Sequence, residues 1–216
     1  MLNVGAGAGA YEPPDREVVA VEPSEVMIAQ RPPGAAAVVR AVAEDLPFAD
    51  GSFDAVMAVL SDHHWTDRAR GLRELRRVAR DRVVLVNADP AEAGRFWLTR
   101  EYLPAVFDIV PEPYRVPGAW ERELRTALGD LALVPIPIPH DCRDGFYGAF
   151  WRRPAAYLDA RVRAGISIFA QLPANHVERG LERLRADLAS GRWEREHRDL
   201  LALREVHLGY YAAIAA

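Results

Sequence analysis

Leu2-Asn3-Val4-Gly5-Ala6-Gly7-Ala8-Gly9 decides the fold, because here a short apolar run passes directly into a glycine-rich turn. Glycine lets the backbone turn sharply and lets a ligand approach without a Cβ in the way. The next apolar run, residues 18–21, ends on the acidic Glu22. Runs that are apolar throughout are typical of parallel strands covered on both faces. The glycine turn and Glu22 are therefore predicted to share the carboxyl edge of a sheet, where such sheets bind ligands.

Three further apolar runs follow, at residues 37–40, 54–60 and 83–87. They alternate with turn-rich or helical stretches. The clearest of these is 67–80, where leucine and valine recur at helical spacing and arginines occupy the other face. This alternation is typical of a doubly wound, mostly parallel sheet. The first half of the chain is thus predicted to be a Rossmann-like α/β domain.

The second half is predicted to close the sheet with two more strands. Residues 132–138 have strand character, but Pro135 and Pro137 lie inside them. Proline cannot donate to a strand ladder, so this strand is expected at an edge or with an irregular course. Residues 206–215 are predicted to form the last strand.

A helical segment interrupts this core. Periodicity makes residues 143–204 mostly helical, so we expect a core of 1–140 with 205–216 and a helical insertion over 141–204. The insertion carries several aromatic residues: Tyr147, Phe150, Trp151, Tyr157, Phe169 and Trp193. Two interpretations stay open. The rings form a lid that sets specificity over an acceptor site, or they pack the insertion onto the sheet.

The composition limits the kinds of partner and the cellular compartment that we expect for this protein. The net charge is −4, with 27 basic and 31 acidic side chains, so the sequence shows no basic excess for nucleic acid. The single cysteine, Cys142, cannot form an internal disulfide, which favours the cytoplasm. No apolar run reaches membrane-spanning length. The histidines show no metal spacing, so no metal is expected.

The segment before the fourth strand is the most specific motif: Ala43-Glu44-Asp45-Leu46-Pro47-Phe48-Ala49-Asp50-Gly51-Ser52-Phe53-Asp54. His63-His64-Trp65 follows that strand, and Glu74-Leu75-Arg76-Arg77-Val78 lies on the next helix. In this order of motifs, residues 1 to about 90 closely resemble the class I S-adenosylmethionine (SAM) dependent methyltransferases. The resemblance implies a seven-stranded methyltransferase fold, here expected to lack its N-terminal helix. SAM would be the cofactor and S-adenosylhomocysteine its product.

The resemblance also implies a set of cofactor-binding residues along the carboxyl edge of the sheet: Asn3, Gly5, Ala6, Gly7, Gly9, Tyr11, Glu22, Pro23, Ala43, Glu44, Ala58 and Val59. By analogy with the family, the glycine turn packs against the methionine part of SAM, with Tyr11 near the same pocket. Glu22 binds the ribose, with Pro23 beside the adenine. Ala43 and Glu44 present backbone to the adenine ring, and the Ala58-Val59 pair faces the amino group.

The catalytic candidates are His63, His64 and Asp62, which would lie where the acceptor enters. Histidine titrates near neutral pH, so either ring is a candidate base, with Asp62 acting directly or orienting one of them. The competing interpretation is that the histidines only pack beside Trp65. The predicted function is methyl transfer by in-line displacement to a small-molecule acceptor. The sequence leaves open whether the chain forms a homodimer.

Two other functions compete with this one. A protein that keeps the fold but binds a ligand without turnover is favoured by Asn3 and Val42, because the family commonly has acids at both positions. An NAD(P)-dependent oxidoreductase would share the glycine turn and Glu22. It needs the turn to continue directly into a helix facing the pyrophosphate. Pro13 and Pro14 argue against such a helix.

Overall fold

A seven-stranded sheet organises the computed structural model, which describes residues 1–216. Its strands are β1 (Leu2–Val4), β2 (Val19–Val21), β3 (Ala37–Val39), β4 (Phe53–Val59), β5 (Ala79–Ala88), β6 (Leu131–Pro135) and β9 (Tyr210–Ala215). Their order across the sheet is β3-β2-β1-β4-β5-β9-β6. The first five pair in parallel, whereas β6 and β9 are antiparallel. The predicted Rossmann-like, mostly parallel sheet is confirmed.

The α-helices are α1 (Glu25–Ala29), α2 (Arg68–Val78), α3 (Val106–Ile109), α4 (Ala119–Leu128), α5 (Ala160–Ala164), α6 (Ser167–Gln171), α7 (Ala174–Ala189), α8 (Arg192–Glu196) and α9 (Arg198–Ala202). Short 3₁₀ helices cover Asp62–His64, Pro90–Arg95, Glu112–Arg115 and Pro154–Leu158, and Leu98–Tyr102 is a π-helix. Helix α1 begins where Ser24 caps it, since the Ser24 side chain accepts from Met27 N.

The two late strands differ from the prediction in their bounds. The run 132–138 is split into the edge strand β6 and the two-residue β7 (Ile138–Pro139), and Pro137, which has no N–H to donate to a ladder, lies between them. The run 206–215 is likewise split into β8 (Glu205–Val206) and β9. Gly209 lies at the break with φ +82°, a left-handed conformation that ends a strand.

No helix connects β1 to β2, although both strands are parallel neighbours. Residues 5–18 form turns and irregular backbone instead. Parallel strands usually need a helical crossover, so this connection has to be stabilised in another way. Its course agrees with the expectation that Pro13 and Pro14 prevent a helix after the glycine turn.

The chain divides into two compact units. Unit 1 comprises residues 1–88, 120–135 and 211–216, and unit 2 comprises 89–119 and 136–210. Unit 2 is therefore larger than the insertion expected over 141–204, because the segment after β5 also belongs to it.

The aromatic side chains of unit 2 form its own hydrophobic core. Trp151, Tyr157 and Trp193 are fully or almost fully buried, and Tyr147, Phe150 and Phe169 pack against the same cluster. The Trp97 and Trp193 rings lie 5.1 Å apart between centroids, in an edge-to-face arrangement. These rings therefore pack within unit 2 itself, and their role as a lid over an acceptor site stays a prediction.

Gly180 on α7 allows this helix to approach the π-helix closely. A Cβ at Gly180 would lie 2.3 Å from the backbone oxygen of Tyr102. Alanine normally stabilises a helix interior relative to glycine by about 1 kcal/mol. Here we expect Gly180→Ala to lower the free energy of unfolding by about 1–3 kcal/mol, because the backbone has to move. Urea denaturation measures the change. Glu182→Ala, at an exposed site on the same helix, is the control and should change little.

Candidate active site

The glycine turn is hydrogen-bonded to the end of β2. Gly5 N and Ala6 N both donate to Val21 O, at 2.9 and 3.0 Å. The next amide, Gly7 N, donates to Glu22 Oε2 at 2.8 Å, and Ser24 N donates to Oε1 at 2.9 Å. Glu22 is 7% exposed. Two backbone donors thus fix its carboxylate in one orientation at the carboxyl edge of the sheet.

Gly5, Gly7 and Gly9 all have positive φ angles, of 71°, 53° and 89°. For Gly5 there is also a packing reason. A Cβ there would lie 2.4 Å from Ser61 Cβ, and the Ser61 hydroxyl donates to Val4 O at 3.0 Å. Gly5 is therefore needed to bring the turn against the end of β4. Gly7 is less crowded, since its Cβ would meet only Met27 Cε, at 3.3 Å.

The remaining cofactor candidates differ in exposure. Asn3, Ala43 and Ala58 are buried, whereas Tyr11 and Pro23 are exposed. Ala6 is also buried, and Val59 is half-buried at the end of β4. The Glu44 carboxylate accepts from Asp67 N at 3.1 Å, so this side chain helps to hold the start of α2. Only the backbone of Glu44 was predicted to face the adenine, and that assignment stays a prediction.

Leu60, directly after β4, is the one non-glycine residue with a positive φ, at 51°. Such a conformation costs about 1–3 kcal/mol for a residue with a side chain and persists where surrounding structure holds it. Leu60 N donates to Val86 O at 2.8 Å, which ties the residue to the neighbouring strand β5. The strained backbone lies directly before Ser61 and the catalytic candidates.

Asp62 is buried, at 1% exposure, and both of its carboxylate oxygens accept hydrogen bonds. Its Oδ2 accepts from Arg68 Nε at 2.8 Å, and its Oδ1 accepts from the side-chain amide of Asn87. Arg68 also pairs with Glu123 on α4. Both carboxylate oxygens are therefore already paired within the protein. Whether Asp62 acts directly or orients a histidine stays a prediction.

Asn87 connects Asp62 to His63. Its Oδ1 accepts from Ala88 N at 2.8 Å and its Nδ2 donates to Asp62, so the opposite amide orientation would place oxygen against carboxylate. The same Nδ2 lies 3.4 Å from His63 Nδ1. An amide N–H can only donate, so a hydrogen bond here makes Nδ1 the acceptor and requires the neutral His63 ring to carry its proton on Nε2. The His64 ring lies beside it, with centroids 4.0 Å apart.

The pKa of His63 is lowered to about 4, first by desolvation and then by the charge of His64, although the residue as a whole keeps an exposed surface. Asp62 acts in the opposite direction, and Arg68 lowers the pKa further. His63 is therefore neutral at physiological pH. It can donate a hydrogen bond through Nε2 without adding positive charge to the site.

We expect an NMR titration of the His63 ring to show it neutral down to about pH 5. An unfolded histidine has a pKa near 6.5, so between that value and about 4 the unfolded chain binds more protons. This stabilisation is complete above pH 6.5 and is lost as the pH falls toward 4. His63→Gln should remove that part of the dependence of Tm on pH. An unchanged acid limb in the variant would contradict the assignment.

Sequence reasoning missed Asn87, Arg68 and Glu123 as members of this network. For Asn87 a signal was present, because this polar residue directly follows the apolar run 83–86 near the carboxyl end of β5. For Glu123 no such signal was present, because Glu123 and Arg68 lie on different helices and are 55 positions apart in the sequence. No group of three or more metal-ligating side chains occurs, and none of the helices has the length and apolar character to cross a membrane.

Comparison with known proteins agrees with this geometry. Residues 2–86 match the methyltransferase domain family. A solved structure from Anabaena variabilis, named as a methyltransferase from an antibiotic biosynthesis pathway, is 34% identical and has a TM-score of 0.87, with 100% of this chain and 90% of that chain covered. The chain belongs to the class I SAM-dependent methyltransferases.

Two curated relatives are similar over shorter stretches. The uncharacterized protein YafE of Escherichia coli is 42% identical over 142 residues, which are 62% of this chain and 63% of that protein. The uncharacterized methyltransferase YcgJ of Bacillus subtilis is 30% identical over 115 residues, 48% of this chain and 41% of that protein. The match thus spans less than two thirds of either relative.

Proposed function

We propose that this protein binds SAM through the glycine turn and Glu22 and transfers its methyl group to a small-molecule acceptor. The observation that carries the proposal is the buried Glu22 carboxylate, fixed by Gly7 N and Ser24 N at the carboxyl edge of the sheet. A carboxylate has about four acceptor positions. Two are occupied by backbone donors, so two remain for the hydroxyls of a ribose.

The residues present fit SAM better than a dinucleotide. No helix follows the glycine turn to bind a pyrophosphate. When bound, SAM supplies a methyl group already activated by its sulfonium, so the protein has to position the acceptor and stabilise charge. The non-catalytic alternative retains support from Asn3, an uncharged residue buried in β1, and from the exposed Val42.

At the acceptor end of the site, the two histidines are assigned different roles. His63 donates from Nε2 to the acceptor, because Asn87 occupies Nδ1. Asp62 orients Asn87 and thereby the His63 ring. Both histidines are exposed, and we assign to His64 the removal of a proton where the acceptor is a hydroxyl or a protonated amine. The relative named for antibiotic biosynthesis supports a small molecule as the acceptor class.

Calorimetric titration with SAM tests the proposal, with NADH as competitor. Binding of SAM that NADH does not displace supports the cofactor site. Transfer of radiolabelled methyl from SAM into a fraction of small metabolites then tests turnover. SAM binding without transfer to any fraction would favour the non-catalytic alternative, and displacement of SAM by NADH would favour a dinucleotide site.

A further inference from the structure

The connection between β1 and β2 is held by a buried ion pair in place of a crossover helix. Glu12 lies in the connection and Arg31 follows α1. Their side chains are only 10% and 5% exposed, and Arg31 Nη2 pairs with Glu12 Oε1. A buried pair of this kind is costly to form unless further hydrogen bonds satisfy both groups.

Those further hydrogen bonds are present. Glu12 Oε2 accepts from Ala36 N at 2.8 Å, just before β3. Arg31 Nη2 donates to Ala36 O at 3.0 Å, and Arg31 Nη1 donates to Gly7 O at 3.1 Å. The planar guanidinium thus reaches three acceptors in fixed directions. Lysine, with a single ammonium on a flexible stem, cannot reproduce this arrangement.

The backbone of Gly7 is therefore held at both its N–H and its C=O. Its N–H donates to the Glu22 carboxylate, and its C=O accepts from Arg31. Gly9 also packs on the pair, since a Cβ there would lie 3.4 Å from Arg31 Nη1 and 3.5 Å from Glu12 Oε2. The orientation of the Glu22 carboxylate thus depends, through the single residue Gly7, on an ion pair at the back of the turn.

We propose that Glu12 and Arg31 are positioning residues for SAM: they fix the glycine turn and, through Gly7, the Glu22 carboxylate. This inference rests on the proposed function, because it assigns the turn and Glu22 to the cofactor. A turn fixed before binding loses less conformational freedom when the ligand arrives, which tightens binding. Loosening the pair should weaken SAM binding while the rest of unit 1 stays folded.

SAM dissociation constants measured by calorimetry test this on the full chain, at a temperature where denaturation curves show each variant folded. We expect Arg31→Met to raise the Kd about tenfold or more and the milder Arg31→Lys to raise it severalfold. Guanidinium ion added to Arg31→Met should recover part of the affinity, which general loss of stability would not allow. Arg40→Met breaks the exposed Arg40–Glu25 pair of the same region and is the matched control, with an unchanged Kd.

The outcomes separate the two proposals. Wild-type protein that fails to bind SAM overturns both. Wild-type protein that binds SAM, together with folded Arg31→Met and Arg31→Lys variants of unchanged Kd, overturns the positioning role alone. Should Arg31→Met fail to fold, hydrogen exchange of the Gly7 amide in Arg31→Lys decides: faster exchange with weaker binding supports the role, and unchanged exchange with unchanged binding overturns it.

Discussion

Glu22→Ala is expected to weaken SAM binding by on the order of 100-fold or more, because two charge-assisted hydrogen bonds to the ribose are lost. The substitution also leaves Gly7 N and Ser24 N without their acceptor, so the turn itself loses its orientation. Calorimetric titration of wild type and variant measures the ratio of the dissociation constants. Glu22 is almost fully buried, which makes replacement by water only partly effective.

Glu25→Ala is the matched control for this experiment. Glu25 is an acid three positions further along the chain, but its side chain is 71% exposed. Its removal should leave the Kd for SAM unchanged. Glu22→Gln gives a second comparison, because the amide keeps the size of the side chain but loses its charge and presents a donor. A Glu22→Ala variant with a Kd within threefold of wild type would argue against the ribose assignment.

Asp62→Ala is expected to have the largest effect on stability, lowering the free energy of unfolding by about 3 kcal/mol. The carboxylate is buried and accepts from both Arg68 and Asn87. Its removal leaves two donors without their partner. The full cost of an orphaned buried charge is not expected, because Arg68 keeps its pair with Glu123. Urea denaturation measures the change.

The same substitution should loosen the His63 ring, since the Asn87 amide then keeps only the hydrogen bond from Ala88 N. A double-mutant cycle with Asn87→Ala measures the coupling, which we expect to be about 1 kcal/mol or more. Asp54→Ala is the control, because Asp54 pairs with Arg80 on the exposed surface. Additive effects of Asp62→Ala and Asn87→Ala would show that the two side chains do not act as a unit.

The sheet could be predicted because its information is local. Apolar runs such as 54–60 can be recognised from neighbouring residues alone. The motif 43–54, which leads into β4, then places these runs in a known order. The bounds of the late strands were harder to predict. The break at Gly209 depends on packing against Glu92, where a Cβ would lie 2.4 Å from Glu92 Cβ, and no local pattern reports that contact.

The site was predicted where residue type alone suggests chemistry, as for Glu22 and the histidines. Those residues are present at the carboxyl edge of the strands, but their individual roles stay predictions. The network around Asp62 and the Glu12–Arg31 pair were missed, because each joins side chains far apart in the chain. An arginine after a short helix, such as Arg31, is normally solvated, and only the fold shows that it is buried.

The order of strands has a consequence for how the protein is made. Strand β9 is the last segment of the chain, yet it lies inside the sheet between β5 and β6. During synthesis on the ribosome, β6 emerges about 80 residues before its partner, since Leu133 pairs with Ala213. Until then the edge of β5 remains open to other strands. Contacts of such sequence separation slow folding, so the nascent chain should depend on chaperones most while residues 136–210 are being translated.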